Sequence, residues 1–311
     1  FLPPQEEYSA ILRKAWDAKW ITNRGQLVLE LEQNLMKYLD VPFLTLTTNG
    51  TLPIQIAIKT LGLTGEIITT PFSYVATTSA IVWESCTPIF VDIDPEYLTI
   101  DETKIEAAIT SKTSAILATH VFGNPCNVEA IEIIAKKHNL KVIYDAAHCF
   151  GVKYKGQSIF NYGDVSTCSF HATKIFHTGE GGCMISNNKE LHEKLYYHHN
   201  FGHDGPEAFQ GLGTNAKMSE LQAAMGLAVY SHLPEIFESR KNAVSFYDTQ
   251  LEFKNFSKLK IRNGTEWNHH YYPVIFNSEE ALLEVKNRLN SNQIFPRRYF
   301  YPYLNTLEYV E

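Results

Sequence analysis

The sequence predicts an α/β protein: a mostly parallel central sheet between helices, followed by a smaller C-terminal α+β domain. Three observations carry this. Short apolar, β-branched runs alternate with helical patterns from residue 44 to residue 186. Runs such as AILATHV and KVIYDAA are apolar on both faces, as strands buried between two helical layers must be. Near Lys217 the pattern changes to long helix and then to a shorter mixed segment.

The elements follow in order. Strands are expected at residues 44–48, 67–70, 88–92, 115–121, 142–145, 165–170 and 183–186. Helices are expected at 52–61, 74–83, 102–109 and 128–138, the last with Val128, Ile131, Ile134 and Ala135 at helical spacing. Residues 217–251 read as long helix interrupted near Pro234. A strand at 258–261, the strand-like HHYYPVIF at 269–276 and a helix at 279–289 complete the chain.

At ~150 residues per domain, 311 residues suggest about two domains, expected here as 1–228 and 229–311. The chain carries 27 Lys plus Arg against 34 Asp plus Glu, a net charge of −7, which disfavours non-specific nucleic-acid binding. Its apolar runs fall short of the ~20 residues of a membrane span. The five cysteines are scattered without CxxC spacing, so neither a disulfide framework nor a zinc knuckle is suggested, and a cytoplasmic location fits. The dinucleotide GxGxxG and the phosphate-loop GxxxxGK[ST] are both missing from the sequence.

Three segments hold candidate chemistry. Thr48-Asn49-Gly50-Thr51 ends the first strand and opens a helix. Asn49 suits a cap, Gly50 permits close backbone approach, and a helix N-terminus favours phosphate; a plain capped helix is the alternative. Asp145 closes a buried strand, where α/β ligands bind, although a carboxylate there also suits a helix cap or a loop ion pair. Lys174 follows a buried strand and precedes the glycine-rich 179–182 turn. Burial would lower its pKa and free its amine for Schiff-base chemistry; a solvated loop lysine is the alternative. Together, a phosphate cradle, a buried carboxylate and a lysine nucleophile are the parts that hold pyridoxal 5'-phosphate.

The chain resembles the DegT family of sugar-nucleotide aminotransferases, vitamin B6 enzymes of the aspartate aminotransferase fold (fold type I). The resemblance rests on ordered segments along the chain: TTNGTLPIQIAI, TTPFSYVATTSAIVWESCTPIFVDID, IYDAAHCFG, CSFHATKIFHTGEGGCMIS, GTNAKMSELQAAMGL and HHYYPVIF.

The resemblance implies roles. Lys174 is the Schiff-base lysine and proton shuttle, and Asp145 pairs with the cofactor's ring nitrogen. Gly50, Thr51 and Ser169 bind its phosphate. Tyr74 covers the ring face. His148 stands where many members carry Gln near the cofactor's phenolic oxygen. Asn215 reaches the phosphate of a neighbouring subunit, which implies a homodimer.

His171 and Glu180 flank the lysine and are read as substrate contacts, a packed strand-end histidine being the other reading of His171. His198, His199 and His203 cluster near FGHDG; a substrate-contacting loop, with His203 as the contact, is favoured over a metal site. Arg297 and Arg298 are candidates to grip a diphosphate or a donor carboxylate, with surface solubility as the alternative.

The Ser-Phe-His-x-Thr-Lys pattern implies amination at carbon 4 of a nucleotide-linked 4-keto-6-deoxyhexose, foremost dTDP-4-keto-6-deoxyglucose, with L-glutamate as donor. A carbon-3 aminotransferase and a non-catalytic, family-derived regulator are the alternatives. The resemblance also implies that the C-terminal domain is incomplete as given.

Overall fold

The computed structural model describes residues 1–310. Its first two helices, α1 (Gln5–Asp17) and α2 (Gln26–Leu39), precede the first strand. The sequence reading did not anticipate them. Leu27, Leu31 and Leu35 repeat every four residues on α2 and are fully buried. The first turn of α2 lacks a cap of its own. Glu220, buried far along the chain, accepts from the amides of Leu27 at 2.7 Å and Val28 at 3.1 Å.

The elements that follow are β1 (Leu44–Thr47), α3 (Leu52–Thr60), β2 (Glu66–Thr69), α4 (Val75–Trp83), β3 (Thr87–Phe90), α5 (Glu102–Ile105), β4 (Thr113–Thr119), α6 (Val128–His138) and β5 (Lys141–Asp145). A small hairpin, β6 (Lys153–Tyr154) and β7 (Gln157–Ser158), leads to β8 (Val165–Ser169) and β9 (Gly182–Ile185). Helices α7 (Lys189–His198), α8 (Glu220–Tyr230) and α9 (Leu233–Gln250) come next. The chain closes with β10 (Phe256–Lys258), β11 (Thr265–Glu266), β12 (Val274–Phe276) and α10 (Glu279–Ser291).

Seven strands form one sheet in the order β1-β9-β8-β5-β4-β2-β3. The pairs β2–β3, β2–β4, β4–β5 and β5–β8 are parallel. Only β9 runs against its neighbours, β8 and β1. This is the mostly parallel α/β sheet expected, and both of its faces are covered: β1 and β9 are buried throughout, as is β4 after its first two residues. The parallel strands end together, so Asp145 and Ser169 come to one rim of the sheet.

The helical stretch expected over 217–251 with an interruption near Pro234 is two helices, as that interruption implies. Ser219 caps α8 with a reciprocal Gln222 capping box, and the break falls at Ser231 and His232; Pro234 sits harmlessly in the first turn of α9. The expected strand over 269–276 is strand only at its end, and His269 at its start has a left-handed φ of 53°, off the extended backbone of a strand. The expected strand at 258–261 lies earlier, at β10. Helix α7 was missed: its many charged residues hide a single buried contact, Leu195.

Candidate active site

The site is built from loops at the sheet rim. After β1 the chain turns through Asn49, whose Oδ1 accepts from the amides of Thr51 and Leu52, each at 2.9 Å. The expected cap is therefore present. It also occupies the Thr51 amide, leaving the hydroxyl of Thr51 as that residue's available polar group. Gly50 lies against Ser169. A Cβ on Gly50 would stand 2.6 Å from the Ser169 Cβ and 2.9 Å from its Oγ. Gly182 closes the other wall, where a Cβ would meet the Asn49 carbonyl at 2.5 Å. Gly50 thus packs on the root of the Ser169 side chain and Gly182 on the backbone of Asn49 and Cys168, so a side chain at either position would collide. Gln222 ties these turns together: Nε2 donates to the carbonyls of Thr48 at 3.0 Å and Glu180 at 2.8 Å.

Asp145 is buried at the end of β5. Its Oδ2 accepts from the Thr77 hydroxyl at 2.7 Å and its Oδ1 from the Ala147 amide at 3.1 Å. Burial pushes its pKa up; the Thr77 and Ala147 hydrogen bonds and the nearby Lys174 charge oppose that. Lys174 is held by the turn that follows β8, with its amide donating to the His171 carbonyl at 2.8 Å. Burial pulls the Lys174 amine below its ordinary pKa, against the attraction of Asp145. In each group burial, which disfavours the charged form, outweighs the attraction of the other.

His148 is buried on the same rim. Its Nδ1 accepts from the Phe122 amide at 3.0 Å. An amide can only donate, so the proton of the neutral ring sits on Nε2. Burial, with Lys174 and His270 nearby, holds the His148 pKa well below its ordinary value. Phe122 reaches this bond from a left-handed backbone, φ 57°, ψ 19°, a strain on the order of 1–3 kcal/mol for a bulky residue.

Two residues were not foreseen. Tyr271 brings its hydroxyl 3.5 Å from Lys174 Nζ and packs its ring on His148. It lies in the segment read as strand, so its irregular backbone concealed it. Thr77 was read only as part of a helix, and its contact with Asp145 spans 68 residues of sequence.

The remaining candidates divide. Tyr74, 53% exposed at the N-terminus of α4, leaves its ring available. His171 and Glu180 face each other at 3.7 Å on the exposed side of the lysine turn. Arg297 is exposed and its charge reaches both Lys174 and Tyr271. Arg298 is already engaged, by Glu279 at 2.8 Å and by the Tyr301 ring 3.7 Å away. Of the expected pair, only Arg297 is without an ion-pair partner among the described residues.

His203 packs its ring against Phe209 at a 37° tilt and lines a separate cavity of about 1010 Å³ with Trp20, Arg24, Tyr196 and Lys217. Within one chain it is not brought to Lys174. Asn215 is exposed, its Oδ1 accepting from Lys217 at 2.6 Å. A second cavity of about 610 Å³, mostly apolar, is lined by Phe122, Tyr271, Arg297 and Tyr299 beside the lysine.

The profile of the DegT/DnrJ/EryC1/StrS aminotransferase family matches residues 4–311. The chain belongs to that family. It is 44% identical over 304 residues to a dTDP-4-amino-4,6-dideoxy-D-glucose transaminase of Shigella dysenteriae, covering 97% of this chain and 83% of that one. A protein of the same description from Escherichia coli is 38% identical, over 98% of this chain and 84% of that one. A crystal structure of DesI, described in the presence of its TDP-sugar product, superposes with a TM-score of 0.92 at 32% identity, covering 98% of this chain and 79% of that one. The fold and the aminotransferase class expected from the sequence are therefore correct. No helix among the described residues is long and apolar enough to cross a membrane.

Proposed function

We propose that this aminotransferase acts with pyridoxal 5'-phosphate on a nucleotide-linked 4-keto-6-deoxyhexose, foremost dTDP-4-keto-6-deoxyglucose. It places an amino group from L-glutamate at carbon 4. The observation that carries the reading is that Asp145 and a Lys174 amine whose pKa burial lowers lie within each other's electrostatic reach, on the rim that also holds Ser169 and its close contact with Gly50. The two transaminase relatives supply the sugar and the carbon.

The residues present fit the cofactor. Gly50 packs directly on Ser169, which brings the turn after β1 and the end of β8 together, so that backbone amides and the Thr51 and Ser169 hydroxyls would be the groups to hold the phosphate. Asp145 is an acceptor for a protonated ring nitrogen. His148, with its proton on Nε2, is a donor for a phenolic oxygen, the task an amide performs in members that carry Gln. Tyr74 covers the ring face. When bound, pyridoxal 5'-phosphate supplies an electron sink and carries the amino group between donor and acceptor.

The chain's own groups do the rest. Burial makes the Lys174 amine easier to deprotonate; in its neutral form Nζ is the nucleophile that would hold the cofactor and, once freed, the base that takes the Cα proton of L-glutamate. The Tyr271 hydroxyl, within reach of that Nζ, orients it. Asp145 keeps the positive charge on the ring nitrogen. Arg297 receives an anionic group of donor or nucleotide, an attraction that a chain of net charge −7 must supply locally. His171 and Glu180 edge the entrance.

The same reading includes a cytoplasmic homodimer in which Asn215 reaches the neighbouring subunit's phosphate, and His203 as a substrate contact. The test is direct. Purified protein should be yellow, and borohydride should fix the cofactor to the peptide that contains Lys174. A colourless protein that takes up no cofactor, or fixation at another lysine, contradicts the proposal.

A further inference from the structure

Three hydroxyls stand in file behind Asp145. Thr77 Oγ1 is 2.7 Å from Asp145 Oδ2, Ser73 Oγ is 2.7 Å from Thr77 Oγ1, and Thr119 Oγ1 is 3.0 Å from Ser73 Oγ. All three residues are buried. They come from separate places in the chain: the segment before α4, its first turn, and the end of β4. Thr119 is the register partner of Asp145 across the β4–β5 pair, so the sheet itself fixes the two ends of the file.

The direction of the file follows from counting protons. An ionised carboxylate only accepts, so Thr77 must donate to Asp145. The Thr77 oxygen then accepts from Ser73, and Ser73 accepts from Thr119. Each hydroxyl spends its one proton toward the carboxylate, and the aligned dipoles strengthen one another in a dry interior. The other groups facing Asp145 are the Ala147 amide, the Lys174 amine and the buried thiols of Cys149 and Cys168. Of these, only the amide and the amine favour the anion.

We propose that Thr119, Ser73 and Thr77 form a positioning relay that keeps Asp145 ionised and aimed, so that the proton of the cofactor pair stays on the ring nitrogen. This rests on the reading that Asp145 meets the ring nitrogen of pyridoxal 5'-phosphate. Ser73 and Thr119 donate no hydrogen bond to Asp145, so their influence on it passes through Thr77.

The test loads the protein with pyridoxal 5'-phosphate labelled with ¹⁵N in the ring and reads the ring nitrogen signal at neutral pH, alongside melting temperature. Removing a donor destabilises the carboxylate and moves the proton toward Asp145. The signal therefore shifts toward that of an unprotonated pyridine, most in Thr77→Val, less in Ser73→Ala and least in Thr119→Val. Thr77→Ser, which keeps the hydroxyl, stays at the native position. Should Thr77→Val fail to fold, Ser73→Ala, which removes one oxygen, and Thr119→Val decide the question together.

Native signals in both Ser73→Ala and Thr119→Val overturn the relay, as does a shift in Thr77→Ser equal to that in Thr77→Val. Asp145→Asn separates the two ideas. If it moves the signal and the hydroxyl variants do not, only the relay falls. If it too leaves the signal unmoved, the reading of Asp145 falls and the relay with it.

Discussion

Replacing Gly50 by Ala probes the cradle most sharply. The new Cβ would lie 2.6 Å from the Ser169 Cβ, 2.9 Å from its Oγ and 3.0 Å from its Cα. Ordinary contact between such atoms is 3.4–4 Å, so the turn after β1 must retreat by about 0.8 Å or more to restore it. The obstacle is the root of a side chain on a buried strand, which cannot swing aside. Overpacking of this kind costs about 1–3 kcal/mol. A displacement near 1 Å at a binding group can cost on the order of a hundredfold. Titration with pyridoxal 5'-phosphate, followed by absorbance, should therefore show a dissociation constant raised about ten- to a hundredfold. Adding Ser169→Gly removes the obstructing Cβ. The double variant should bind better than the product of the two single effects predicts, a coupling that a cycle of four proteins measures. Native affinity in Gly50→Ala, or strict additivity in the cycle, would refute the reasoning.

Further outcomes follow from the same geometry. Lys174→Ala should lower turnover by on the order of 10²–10⁴-fold and abolish borohydride fixation at that peptide; retained turnover contradicts its role. Asp145→Asn should cut turnover by about a hundredfold or more without harming the cofactor-free fold. Burial raises the folded pKa of Asp145, so its contribution to stability is present at low pH and lost as pH rises through that value. At neutral pH the buried charge weighs against folding, and the Asn variant should melt at or above the native temperature; a fall of several degrees contradicts this. Burial chiefly lowers the Lys174 pKa, and the Arg297 charge adds to it in the same direction. In cofactor-free Arg297→Ala, acetylation of Lys174 should therefore need a higher pH than in the native protein, and an unchanged or lower midpoint refutes the coupling.

How much of this was legible in the sequence depended on range. Strand β5 and its terminal Asp145 announced themselves, because a run that is apolar on both faces has one place to go and its end lies at the rim. Asn49 and Gly50 were legible because caps and close approaches are local chemistry. The partner that makes Gly50 obligatory, Ser169, was legible only as a resemblance, since the contact crosses more than a hundred residues. Thr77 and Tyr271 were missed for the same reason: a hydroxyl's partner is set by the fold, and neither residue breaks the pattern around it. Helices α1 and α2 were missed although α2 has a clear apolar stripe. Its N-terminus carries no capping side chain nearby, and the cap comes from Glu220. Arg297 and Arg298 look alike in sequence, and only Glu279, on another element, distinguishes them.

The central claim is transfer of an amino group to carbon 4 of a nucleotide-linked sugar. The measurement that meets it directly incubates the protein with pyridoxal 5'-phosphate, L-glutamate and, in turn, dTDP-4-keto-6-deoxyglucose and its 3-keto isomer, and assigns the products by NMR. The account predicts a new amine on carbon 4 of the first sugar. Amination of the 3-keto sugar alone, with the 4-keto sugar recovered unchanged, would contradict it.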